Sequence, residues 1–427
     1  MRLVGLNSDR ACIADIENDN IEELVYTKLS DIIILDTISN KIKRQIHIKP
    51  RAMKQRAEFD QEIYRDISTE DHIDLQRTPS IAGEVILKMH VEDVNGDGKP
   101  EIVILRVDGI IACYDVDGHE KWSFFLDPHI VDLATTDRGE LRVVVISGYG
   151  FLYAISIDGK LYKVDLKDFS GSPLALTSVD SNAGLYAILS REGTIHLVRI
   201  ELAKEVFKKV IKVSYIANLD LPKHAESTSL HAMSLSGGST KEALIAGLSD
   251  GTVLVIDLKS MEIRARIKLP DRISRIFELP GAADNIGIAL DWLGNLAIIR
   301  DYDKIEMYEA PTRRRLVDLD CDGTEEEVSV STKSLRIKKR GELINEIEGY
   351  SYISSYAVDD VNLDGKREII VAWNSKSVTI YDYSGRVLDS TKTLAIPRAL
   401  MILDINKDNK KEIIVCSNDS IEVFLLD

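Results

Sequence analysis

Asp93-Val94-Asn95-Gly96-Asp97-Gly98-Lys99-Pro100-Glu101 runs directly into Ile102-Val103-Ile104-Leu105. The loop places side-chain oxygens at relative positions 1, 3, 5 and 9. Asn95-Gly96-Asp97-Gly98 has to turn tightly, and Gly98 tolerates the positive φ that such a turn demands. Oxygen donors gathered on a compact loop suit a hard cation such as Ca²⁺, which takes six to eight of them. A single copy would equally describe an ordinary Asp/Asn/Gly turn.

Four further stretches repeat the spacing: Asp15-Glu17-Asp19-Asn20-Glu23, Asp318-Asp320-Asp322-Gly323-Glu326, Asp360-Asn362-Asp364-Gly365-Glu368 and Asp404-Asn406-Asp408-Asn409-Glu412. A plain turn needs small polar residues but no carboxylate at position 9 each time. The candidate ligands are therefore Asp15, Glu17, Asp19 and Glu23; Asp93, Asn95, Asp97 and Glu101; Asp318, Asp320, Asp322 and Glu326; Asp360, Asn362, Asp364 and Glu368; Asp404, Asn406, Asp408 and Glu412. Ca²⁺ is the expected ion, with Mg²⁺ as the other candidate. An EF-hand would need Glu at position 12 and flanking helices. Position 12 here is Thr27, Ile104, Ser329, Val371 or Val415, and β-branched apolar runs follow the loops. The unit reads as strand, metal loop, strand.

The loops also act as a ruler. Asp318, Asp360 and Asp404 recur at intervals near 43 residues, and the gap from Asp93 to Asp318 holds whole multiples of such a period. Gly-containing turns punctuate each repeat, at Asp108-Gly109, Glu192-Gly193, Asp250-Gly251 and Leu293-Gly294 and again at Asp117-Gly118, Asp158-Gly159, Arg340-Gly341 and Ser384-Gly385. Four short antiparallel strands per repeat make a β-propeller blade. The expected fold is all-β: a single closed β-propeller over residues 1–427. Nine repeats fall near 11–50, 85–127, 129–167, 172–212, 229–270, 272–312, 313–350, 352–395 and 396–427. Eight is the alternative count, because 273–310 and 313–350 are the weakest units. The last repeat is one strand short and the N-terminus has one to spare, so residues 1–6 are expected to close the ring. Ring order would then make the metal-loop repeats contiguous, from the seventh through the ninth to the first and second.

Residues 51–83 do not fit the period. Phe59, Ile63 and Ile67 recur at i, i+4 and i+8 among charged residues, which predicts a short amphipathic helix between the first two blades. It reads either as a solvated connector or as an arm that docks a protein partner.

Composition narrows the function. Net charge is −16, which argues against nucleic-acid phosphate as a partner. Cys12, Cys113, Cys321 and Cys416 form no CxxC pair, which speaks against zinc. Neither a signal-length apolar run near Met1 nor a stretch approaching a membrane span is found, so a cytoplasmic location is expected. No nucleophile elbow, HExxH, P-loop or dinucleotide fingerprint occurs.

The tandem D-x-[DN]-x-D-G-x-x-E loops between strands resemble the FG-GAP/VCBS repeats of integrin-α-type β-propellers. That resemblance covers five repeats by motif and four by strand and turn pattern. It implies Ca²⁺ in the loop between the first and second strands of a blade, on the residues named above. The Phe-Gly and Gly-Ala-Pro signatures are absent, and Glu stands at position 9 where many members have Asp. On architecture the chain is more similar to cytosolic relatives, such as the propeller subunits of the Bardet–Biedl complex, than to adhesion receptors. Gly109 to Trp122 is also similar to one pyrroloquinoline-quinone-type repeat, but Trp122, Trp292 and Trp373 are not equivalently placed, which speaks against a quinone enzyme. The expected function is a non-enzymatic protein–protein interaction scaffold stabilised by calcium. The alternatives are a carbohydrate- or small-molecule-acting enzyme using the channel mouth, or an extracellular adhesion module.

Overall fold

A computed structural model describes the chain except residues 9, 17–21, 29–30, 37–41, 49–85, 128, 137–138, 167–168, 170, 181–182, 205–208, 223–225, 235–240, 280–285, 311–313, 419 and 427. The predicted helical insertion at 51–83 lies outside the described residues, among which there is no helix. What is described forms nine antiparallel four-stranded sheets. The second sheet is typical: Ile86–Glu92, Glu101–Arg106, Ile110–Tyr114 and Glu120–Phe125, each hydrogen-bonded to the next in chain order. The metal-loop sequence lies between the first two of these strands.

The described residues fall into two compact units, 9–220 with four sheets and 1–8 plus 221–427 with five. In the first unit the sheets stack in chain order. Ile32 and Ile34 of the first sheet pack on Ile102 and Ile104 of the second. Val103 and Leu105, on the opposite face of that strand, pack on Val143 and Val145 of the third. Val144 and Ile146 then meet Ile188 and Val198 of the fourth. A strand held between two sheets buries both faces, so Ile102 to Leu105 loses the alternation of a half-exposed strand and becomes a continuous apolar run.

In the second unit Arg2–Ser8 pairs antiparallel with Ser420–Leu425 and supplies the missing strand of the last sheet, as the sequence predicts. The Met1 ammonium is ion-paired with Asp389, and Leu3 packs with Phe424. Within this unit the sheets do not stack in the chain order that the repeats led one to expect. One face of the ninth sheet, carrying Leu400, Ile413 and Val415, packs on Ile370 and Ile380 of the eighth. Its other face, Ala399, Met401 and Ile414, packs on Phe277, Ile288 and Leu290 of the sixth.

The reason lies in the seventh sheet. Val328, Leu335 and Ile337 make one apolar face, packed on Ile369 and Val371 of the eighth. The opposite face carries the ion pairs Arg314–Glu327 and Arg336–Glu346, each at 2.7 Å, with Arg314 67% exposed. Such a face cannot cover the apolar surface of the sixth sheet without desolvating those charges. The sixth sheet (residues 273–308) is apolar on both sides, and its other face packs through Ala289, Ala297 and Ile299 on the fifth.

Candidate metal centre

Each described loop is built on one hydrogen-bond frame. In the second repeat Asp93 Oδ2 accepts from the Gly98 amide at 2.9 Å, Asn95 Oδ1 from Asp97 at 2.8 Å and Asp97 Oδ1 from Lys99 at 2.8 Å. Glu101 Oε2 reaches back to the Val94 amide at 3.1 Å, and its other oxygen meets the Asn95 amide. The eighth loop reproduces this frame with Asp360, Asn362, Asp364 and Glu368. The ninth does so with Asp404, Asn406, Asp408 and Glu412, and the seventh with Asp318, Asp320, Asp322 and Glu326. Positions 1, 3, 5 and 9 are thus brought together in four loops. In the first loop Glu23 Oε2 accepts from Ile16 at 3.1 Å, while Glu17 and Asp19 lie outside the described residues.

The backbone adds a feature that sequence reasoning missed. Position 6 has positive φ as expected, at Gly98, Gly323, Gly365 and also Asn409. Position 4 does too, and there the residues are Gly96, Cys321, Leu363 and Lys407. Left-handed backbone costs a non-glycine residue about 1–2 kcal/mol. The same cost recurring at the same place shows that the frame, not local preference, dictates the conformation.

Position 9 is the most telling. Glu23, Glu101, Glu326, Glu368 and Glu412 are all 2% exposed or less. Each accepts from the backbone amide at position 2; Asn95 and Asn362 add a side-chain donor to Glu101 and Glu368, and Lys43 and Lys339 pair with Glu23 and Glu326, so Glu101, Glu368 and Glu412 are buried without a countercharge in contact. Burial, together with the Asp97 and Asp93 charges, pushes Glu101 up to about 7 against the pull of the Val94 amide. Glu368 and Glu412 are raised for the same reasons. Asp360 Oδ1 is buried with no hydrogen-bond partner. Clustered acids, desolvated and one oxygen short of a donor, fit a cation as the remaining ligand.

The four other repeats lack both parts of the arrangement. The turn after the second strand provides the alignment: Gly109, Gly150, Gly193, Gly251 and Gly294 all have positive φ, and each amide donates to the carbonyl three residues earlier. Counting back from it, the place of Glu101 is taken by Arg142, Leu185, Ala243 and Ile286. Ala243 and Ile286 are fully buried. Arg142 is 7% exposed, and its Nε and Nη1 have no hydrogen-bond partner. Repeats without the ligand loop therefore also lack the buried acid.

Two lysines complete the picture, and sequence reading missed both. Lys339 faces Glu326 across the strand pair and contacts Asp320, Asp322 and Glu326. Lys43 Nζ lies 2.5 Å from Glu23 Oε1. The cross-strand register is the signal that would have revealed Lys339. A separate acidic group, Asp115, Asp117 and His119, is more exposed and is organised by its own turn, in which Asp115 accepts from the Asp117 and His119 amides. One pocket of the second unit is lined by Leu293, Val330, Thr332, Tyr352 and Arg398 among others, and its lining holds no acid–base or nucleophile–base pair. No described helix is long and apolar enough to cross a membrane.

A family model, the lambda-carrageenase β-propeller domain, matches residues 71–184. The chain carries a β-propeller domain. Lambda-carrageenase of Pseudoalteromonas carrageenovora is 39% identical over 75 residues, and that of Pseudoalteromonas sp is 41% identical over 76. Each match covers 17% of this chain, and the chain spans about 8% of the length of these relatives. Among solved structures, the computationally designed Ika8 protein is similar at TM-score 0.46 and 15% identity, covering 100% of this chain and 99% of that one. BBS1N in complex with ARL6DN is similar at TM-score 0.42 and 10% identity, covering 100% of this chain and 96% of that one.

Proposed function

We propose that the chain is a non-enzymatic, cytoplasmic binding scaffold whose repeats are stapled by divalent cations, Ca²⁺ foremost, and which docks protein partners. The observation that carries the metal half is the coupling at position 9: a buried glutamate wherever the ligand loop is present, and Arg, Leu, Ala or Ile wherever it is not. Asp93, Asn95, Asp97 and Glu101 would hold one ion, Asp360, Asn362, Asp364 and Glu368 a second, and Asp404, Asn406, Asp408 and Glu412 a third. A bound ion supplies charge neutralisation and cross-links the loop to the second strand. The chain's own contribution is to fix the carboxylates in advance through backbone amides, so that little order is lost on binding. Repeated sheets with varied loops support the scaffold half, since such folds present extended binding surfaces.

Isothermal titration of chelator-treated protein with Ca²⁺ and with Mg²⁺ tests the metal half. At least three Ca²⁺ per chain, bound more tightly than Mg²⁺, is the expected result; no binding of either ion would refute it. The match to a lambda-carrageenase propeller domain favours a second reading, a domain serving a polysaccharide-acting protein. Incubation with lambda-carrageenan, followed by measurement of binding and of new reducing ends, separates the two.

A further inference from the structure

The seventh loop differs from the second, eighth and ninth in having a cation already in place. Lys339 Nζ lies 3.0 and 3.2 Å from the two oxygens of Asp320, 2.7 Å from Asp322 Oδ2 and 2.7 Å from Glu326 Oε1. Asp318, Asp320 and Glu326 each offer an oxygen, all within 4.8 Å of one another. The ammonium therefore touches three of the four acids that would ligate a metal. Its side chain is 22% exposed and that of Glu326 only 3%. At 2.7 Å the ammonium is the partner of a buried Glu326 oxygen that no other donor reaches.

The chemistry of position 3 makes this specific. The second, eighth and ninth loops have Asn95, Asn362 and Asn406 there, and three carboxylates each. The seventh has Asp320 and four carboxylates. In the first loop position 3 is also acidic, Glu17, and the position-9 Glu23 is again ion-paired to a lysine of its own sheet, Lys43. Among the described residues, no lysine pairs with Glu101, Glu368 or Glu412. An extra acid and an internal ammonium thus occur together, twice, from different strands.

We propose that Lys339 is the resident cation of the seventh loop and excludes a divalent ion from it as long as the side chain is present. This deepens the metal-stapling reading and makes the loops unequal: three exchange cations with solvent, and the seventh carries its own. A displaced ammonium would have to leave three carboxylates before an ion could reach the same oxygens, so binding there starts with a penalty the other loops do not have.

The test combines ion counting with melting. Wild type, Lys339→Met and Lys339→Met/Asp322→Asn are melted in EDTA and then titrated with Ca²⁺. In EDTA, Lys339→Met is expected to melt at least about 4 °C lower, and the double variant to regain part of the loss by removing one unpaired charge. With Ca²⁺, Lys339→Met should bind one ion more than wild type. Should Lys339→Met fail to fold in EDTA, recovery on adding Ca²⁺ or in the double variant supports the proposal, and no recovery in either overturns it. An unchanged melt in EDTA overturns it as well. So does an equal ion count in wild type and Lys339→Met when Asp318→Asn lowers the wild-type count by one. Absence of Ca²⁺ binding in every variant would refute metal stapling while the melts in EDTA still decide the role of Lys339.

Discussion

The second and sixth sheets use the same strand order and the same glycine turn, yet at one buried position the first has Glu101 and the second Ile286. Around Glu101 stand Asp93, Asn95 and Asp97, on a frame of backbone amides. Counting back from Ile286, positions 3 and 5 are Pro280 and Ala282, neither of which can ligate a metal through its side chain. The acid and its loop occur as one unit. A carboxylate with almost no exposure is costly unless a cation answers it, and a loop of acids without that carboxylate would be one ligand short.

Removing the cation should have the largest effect. Each site saturated at about a hundredfold over its Kd contributes about 2.7 kcal/mol, so three together approach 8 kcal/mol. Exhaustive chelation is expected to lower the melting temperature strongly, and Ca²⁺ to restore it better than Mg²⁺. The pH dependence sharpens this. Without metal the pKa of Glu101 is raised in the folded state, so its favourable contribution is full below about 4.5 and is lost as pH rises through about 7. Cation-free protein should therefore be more stable at pH 5 than at pH 8. With Ca²⁺ bound the carboxylate must stay ionised, and the trend should flatten or reverse. Equal pH profiles with and without Ca²⁺ would break the comparison.

Placing the acid without its loop comes next. Ile286→Glu buries an unanswered carboxylate between the sixth and ninth sheets and is expected to cost about 3–5 kcal/mol in urea unfolding. Ile286→Gln, of the same size but uncharged, should cost less, and the gap between the two should close as pH falls below about 5. If Ile286→Glu is tolerated at pH 8 as well as Ile286→Gln, burial at this position is not what couples the acid to its loop.

The loops, the strand content and the donated N-terminal strand were all legible in the sequence. The D-x-[DN]-x-D spacing is local chemistry, and Ile102 to Leu105 or Ile413 to Val415 leave little choice but buried strands. Sheet order was not legible. It depends on which faces are charged, and the alternation Glu327, Ser329 against Val328, Val330 decides it only once the register with Arg336 and Ile337 is known. Lys339 was hidden for the same reason: it is remote from its loop in sequence and opposite Glu326 only across a strand pair. Positive φ at Leu363 and Lys407 could not be read from residue type, since neither favours it.

Glu422 provides the smallest and cleanest test, because it is a buried acid that never had a metal loop. It lies on the face of the ninth sheet that meets the eighth, 2% exposed. Its oxygens accept from the Leu394 amide at 3.1 and 3.2 Å and from Ser420 Oγ at 3.3 Å. Burial pushes it up to about 7, against the pull of the Leu394 amide, the Ser420 hydroxyl and, more weakly, the Lys376 charge. A folded-state pKa raised from the ordinary 4.5 means that the protonated acid costs little, and that ionising it above pH 7 costs the folded state about 3 kcal/mol. Glu422→Gln keeps an acceptor for Leu394 and removes the charge. It is expected to match wild type below about pH 4.5 and to exceed it by about 3 kcal/mol at pH 8, in Ca²⁺ and in EDTA alike. That indifference to Ca²⁺ is the point of the experiment. Burial alone then accounts for Glu422, whereas the same measurement on Glu101 should depend on the ion. A Ca²⁺-dependent difference at Glu422 would mean that the two kinds of buried acid are not distinct.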